Sequence, residues 1–115
     1  MSIEQKALKA KLTGNFSSVE IKSDAADIDF VGHAKDVDIR GKATRANLVF
    51  DAIRQDETIA ISSKMLDVYL GFGSGTAISY LIDAKASFVD SALPSTPGAK
   101  PSVVIKGDFV RSTIR

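Results

Sequence analysis

Apolar and polar residues alternate over most of this chain, a period of two that predicts β-strands with one covered face. Val19 and Ile21 alternate with Glu20 and Lys22, Ile28 and Phe30 with Asp27 and Asp29, and Val37 and Ile39 with Asp36, Asp38 and Arg40. Turn-prone pieces, Ser23-Asp24, Gly32-His33 and Gly41-Lys42, fall between them. Continuing the pattern places strands near positions 19, 28, 37, 48, 59, 68, 79, 88 and 103. The fold class is all-β, with short strands paired antiparallel or stacked as repeats. A meander, a sandwich or barrel, and a β-helix all use this alternation, so it does not choose between them.

A short phrase also recurs: an apolar residue, a polar or small one, a second apolar residue, then two small or basic ones. It reads Val19-Glu20-Ile21-Lys22-Ser23, Val37-Asp38-Ile39-Arg40-Gly41, Ile59-Ala60-Ile61-Ser62-Ser63 and Val103-Val104-Ile105-Lys106-Gly107, with starts 18, 22 and 44 positions apart. Two steps of the middle size fit the last gap and place a missing member near Leu81-Ile82-Asp83. Such a unit buries its apolar edge only against a like neighbour, so the expectation is a stack.

The first twelve residues break the pattern. Ile3, Ala7, Leu8 and Leu12 fall at helical intervals with Glu4, Lys6 and Lys9 opposite, which predicts a short helix over residues 1–12 ending before Gly14. Ala10, Leu12 and Gly14 also alternate with Lys9, Lys11 and Thr13, so an edge segment is the other reading. Residues 13–115 then form a single β-rich domain. An exposed loop is expected at 90–100, where Pro94, Ser95, Thr96, Pro97 and Gly98 cluster.

Composition narrows the function classes. The 115 residues are 44% hydrophobic with six Phe, two Tyr and no Trp, so the core is built from aliphatic side chains. A formal charge of +1 gives no net field toward nucleic acid or an anionic membrane. The lack of cysteine removes disulfides, thiolate catalysis and Cys-rich zinc sites. Charges at Glu4, Lys6, Lys9 and Lys11 interrupt any signal-peptide core, and no apolar run reaches the roughly 20 residues of a membrane span. As written the chain reads as cytoplasmic, or as cell-surface if it belongs to a longer anchored protein.

The stretch Phe16-Ser17-Ser18-Val19-Glu20-Ile21-Lys22-Ser23-Asp24-Ala25-Ala26-Asp27-Ile28-Asp29-Phe30 resembles the opening strand pair of a bacterial adhesin family of short repeated β-strands. The likeness covers mainly residues 13–70, and Val103 to Ile114 more loosely. It implies a single-sheet or β-helical stack, displayed at a cell surface, with no catalytic residues. The chain departs from that family in carrying no anchor and in lacking short Gly-Asp-turned repeats over residues 66–100.

Candidate chemistry is sparse. Asp24, Asp27, Asp29, Asp36 and Asp38 are dense, but strand side chains point in parallel and do not converge as calcium ligands must. Lys22, Lys35, Arg40 and Lys42 lie close enough in sequence to neutralise them, so a solvated charged face is expected and no metal. Gly71-Phe72-Gly73-Ser74-Gly75 is followed by Thr76-Ala77-Ile78-Ser79-Tyr80, a strand pattern without the helix and lysine of a phosphate loop. It reads as a turn or bulge with Phe72 packing inward or making a contact. His33 sits in a turn and reads as exposed; base catalysis would need Asp36 beside it and a nucleophile such as Ser63 or Ser79. No nucleophile elbow is present.

Aligned repeats match Arg40 with Lys106 and Arg45 with Arg111, which would form a basic strip. Arg40, Arg45, Lys106 and Arg111, with Phe72 and Tyr80, form the candidate interaction surface. Scattered aromatics argue against nucleic acid as its ligand. The expectation is a protein without enzymatic activity or cofactor, an adhesin-like module that recognises a protein or cell-envelope component. The alternatives are a self-assembling β-helical structural protein of the cytoplasm, and a small β-barrel carrier or enzyme with a pocket lined by Tyr69, Phe72, Tyr80 and Phe88.

Overall fold

Alternating side chains along most of the chain become four strands, β1 (Ser2–Phe50), β2 (Thr58–Gly71), β3 (Ser79–Ser91) and β4 (Ser102–Ile114). The computed structural model describes residues 2–51, 53–54, 56–72, 77–93 and 95–115. Gly73, Ser74 and Gly75 of the glycine string, Thr76 after it and Pro94 of the expected loop lie outside the described residues. The strands form one sheet in the order β1-β2-β4-β3. All three pairings are parallel, which corrects the expectation of antiparallel partners.

The expected N-terminal helix is absent as well, because β1 begins at Ser2. Leu8, Ala10 and Leu12 are half-buried while Lys9, Lys11 and Thr13 are exposed, so the period of two prevails over the helical spacing. Among the described residues no helix is long and apolar enough to cross a membrane.

At 49 residues β1 would extend about 160 Å if straight. The molecule measures 36 × 33 × 18 Å, so β1 must fold back on itself. Contacts 17 or 18 positions apart show how. Gly32 packs on the Gly14 carbonyl, Gly41 on the Ser23 carbonyl, and the Ser23 hydroxyl oxygen lies 3.2 Å from the Lys6 carbonyl. Residues 2–17 and 18–35 are thus the first and second layers, and the third begins at Asp36, which pairs with Thr58 of β2. β2, β4 and β3 supply the fourth, fifth and sixth layers.

Each inner layer follows one burial code. In the second, Val19, Ile21 and Ser23 are buried, Asp24 and Ala25 are both exposed, and then Ala26, Ile28 and Phe30 are buried. The two adjacent exposed residues mark a corner where the alternation changes phase, giving each layer two faces. Ser23 and Ser63 each donate their hydroxyl across this corner to the carbonyl two residues on, Ala25 at 2.8 Å and Met65 at 2.9 Å. The neighbouring layer answers with glycine, since a Cβ on Gly41 or Gly107 would collide with the Ser23 or Ser63 carbonyl oxygen. Inside the turn, Phe16, Phe30, Phe50 and Phe72 stack in succession with centroids 6.0, 5.4 and 5.5 Å apart, a spine joining four layers.

The recurring phrases fall in one column, Val37 beside Ile59 and Ile59 beside Val103. The long gap between the last two is closed by direct pairing of β2 with β4, while the segment containing Leu81-Ile82-Asp83 is set outside β4. Burial explains the exchange. β4 directs Val103, Ile105, Val110, Ser112 and Ile114 inward, all buried, whereas β3 offers Tyr80, Ile82 and Ala84, half-buried, then Ser87, Val89 and Ser91, none of them buried. The more apolar strand takes the place with neighbours on both sides. Most of the described residues of the 92–101 connection that permits this are exposed, but Thr96 N–H donates to the Ile78 carbonyl at 2.7 Å and the Ser79 hydroxyl to the Ala99 carbonyl at 2.7 Å.

Truncating the aromatic spine at its middle tests this packing. Phe50→Ala should cost about 3–5 kcal/mol in urea unfolding, since Phe30 and Phe72 each lose a partner. Gly107→Ala should destabilise as well, and an unchanged midpoint would contradict the close approach to Ser63.

Candidate functional site

Lengthening the layer from 18 positions between Val19 and Val37 to 22 between Val37 and Ile59 adds residues to the return before β2. Glu57 fastens that return. Its carboxylate accepts the Arg54 N–H at 2.7 Å and the Asp56 N–H at 3.1 Å. It also sits 2.8 Å from His33 Nε2 in the layer below, with both side chains buried. Its backbone carbonyl accepts the Ser102 N–H at 2.9 Å, which ties the same residue to β4. His33 is therefore not the exposed turn residue expected, and its partner is Glu57 rather than Asp36.

Burial works to raise the Glu57 pKa, but the backbone N–H groups and His33 together outweigh it and hold the carboxyl below its ordinary value of 4.5. His33, Asp56 and Glu57 offer ligand-type atoms within 4.8 Å of one another. The two Glu57 oxygens are already engaged by donors, however, so a cation would have to displace the bonds that hold the return in place. The geometry is that of a latch.

The surface candidates separate into two groups. Register places Arg40 beside Ser62 and Ser62 beside Lys106 on the first face. On the second face Arg45 lies beside Asp67 and Asp67 beside Arg111. The expected basic strip is thus interrupted in both columns by a residue of β2. Arg40 is further drawn to Asp38, at 3.2 Å. Phe72 is buried in the aromatic spine and Tyr80 is half-buried against the core, so neither supplies an exposed anchor. The carrier pocket is not assembled either, because Phe72 faces inward while Tyr69 and Phe88 are exposed. The aspartates are likewise distributed, Asp24 toward Lys42 at 4.0 Å and Asp38 toward Arg40.

What sequence reading missed is an apolar group on the outside. Met65 and Phe109 are 60% and 63% exposed and adjacent at the corner, and Phe88 is 64% exposed one layer on, with the Arg111 guanidinium 5.8 Å from its ring centre. The signal for Met65 and Phe109 is the two adjacent outward residues of each corner, readable only once the phase change is known, whereas Phe88 lies on the flat of the second face beside Arg111. Compared with known proteins, the chain matches no family model, no curated protein and no solved structure.

The latch makes stability pH-dependent. Because the folded-state pKa of Glu57 is depressed, its contribution is full above the ordinary value of 4.5 and is lost as pH falls through the lower folded value. Urea midpoints should therefore fall on acidification below about pH 4.5. Glu57→Gln should flatten that dependence and cost about 2–3 kcal/mol at neutral pH.

Proposed function

We propose that this protein is a non-catalytic β-helix-like scaffold that works by association through its two outermost layers. The observation that carries the reading is their incompleteness. β3 is an edge strand whose Tyr80, Ile82 and Ala84 are only half-buried, and at the other end Ile3, Leu8, Leu12 and Phe16 are only half-buried. Open strand edges with uncovered apolar side chains recruit further strands unless something blocks them. Joining unlike ends propagates into a filament, and joining like ends closes a dimer. This is the self-assembling structural role, now favoured over adhesin-like recognition of a protein or envelope component. The latter draws on the exposed Met65, Phe109 and Phe88.

Sedimentation velocity and negative-stain electron microscopy across a concentration series test the reading. The expected result is elongated particles that lengthen with concentration, and Ile82→Lys, which places a charge on the open end, should shorten them. Particles of one fixed size at every concentration, unchanged by Ile82→Lys, would dismiss end association.

A further inference from the structure

The second face carries charges that alternate in sign from layer to layer. Its central column runs Lys9, Asp27, Arg45, Asp67, Arg111, Phe88 from the first layer to the sixth, all exposed. Lys9, Asp27, Arg45 and Asp67 take part in no ion pair with another described residue. The corner column beside it changes size along the stack: Ala7, Ala25 and Ala43 in the first three layers, then Met65, Phe109 and Ala86. The alanines floor a shallow groove at one end, and the two large side chains project at the other.

We propose that this face binds a second copy of the chain side by side, with the two stacks running in opposite directions about a two-fold axis parallel to the strands. The axis passes between the third and fourth layers, so each layer meets the one equally far on the other side. Met65 then enters the space over the partner copy's Ala43, and Phe109 that over its Ala25, with the same contacts repeated by symmetry. In the central column Arg45 faces Asp67, Asp27 faces Arg111, and Lys9 faces the Phe88 ring. One column further along, Lys11 faces Asp90. Every charge on these columns that meets a charge thus meets its opposite. A two-fold axis along the stack would instead set Lys9, Asp27, Arg45, Asp67 and Arg111 each against itself, which like-charge repulsion forbids. Charge order selects the axis parallel to the strands, and side-chain size places it between the third and fourth layers.

The size of the face sets the strength. Six strands at about 4.8 Å by some six residues at about 3.3 Å give on the order of 1,200 Å² buried in the pair, the low end for specific interfaces. This contact lies on the flank and is separate from association through the ends.

The test uses Ile82→Lys as background, so that end association does not enter the reading. Sedimentation equilibrium should show a reversible dimer. Asp27→Lys and Arg111→Glu, each alone, set like charges across the two-fold axis and should weaken dimerisation at least about tenfold. An equimolar mixture of the two should restore it, because Lys at position 27 of one copy then faces Glu at position 111 of the other and the remaining Arg111 and Asp27 still meet. Within one copy these positions are three layers, about 14 Å, apart, so intramolecular repair does not mimic the result. In a chain without cysteine, mixing Ala25→Cys with Phe109→Cys should also give a disulfide-linked heterodimer under mild oxidation, while each alone forms no disulfide. A monomer at all concentrations, single variants that dimerise as the background does, or a mixture that fails to recover would each overturn the proposal. Loss of end association alone leaves it standing.

Discussion

Inward side chains stacked on the equivalent side chains of the next layer are the interaction on which this molecule rests. A layer made of two short strands and a return has no interior of its own. Ile21, Ile39, Ile61 and Ile105 are each almost fully buried, and Ile39, Ile61 and Ile105 lie in direct register. Parallel pairing keeps such a column continuous, since each residue meets its counterpart and every layer repeats the same code. The corner chemistry follows from this demand. Layers that must lie close leave no room for a side chain at every corner, so a serine that bonds across its own corner is met by a glycine in the adjacent layer, as at Ser23 and Gly41 or Ser63 and Gly107.

Much of the fold is legible from residue order because that demand writes itself into local pattern. The recurring phrases at Val37, Ile59 and Val103 align in space as they align in sequence. The first twelve residues are less decisive, since Leu8 and Leu12 satisfy both a helical interval and an alternating one. Only the presence of a neighbouring layer favours the strand. The exchange of β3 and β4 is invisible locally for a different reason. It depends on comparing the inward residues of two segments, Val110 and Ile114 against Ser87 and Ser91, for one position between neighbours.

The surface is less legible in the sequence, and again the missing information is tertiary. Matching Arg45 with Arg111 was sound as alignment, but Asp67 stands between them, because the repeat at Ile59 occupies the intermediate layer. His33 and Glu57 are 24 positions apart, with nothing in either neighbourhood to announce the other. Glu57 gains its role from the four positions by which one layer exceeds the previous one. A glutamate at the end of that longer return can turn its carboxylate back to Arg54 and Asp56 and still reach the imidazole below.

The insertion of β4 between β2 and β3 has a consequence for how the chain comes into being. The margin of β2 is completed by residues some forty positions further along, with Val103 beside Ile59, so β2 and β4 cannot join until everything between them, β3 included, has been synthesised. β3 pairs with β4 and with no other named strand. The sheet therefore gains its last two strands together, since β3 has a partner only once β4 is in place.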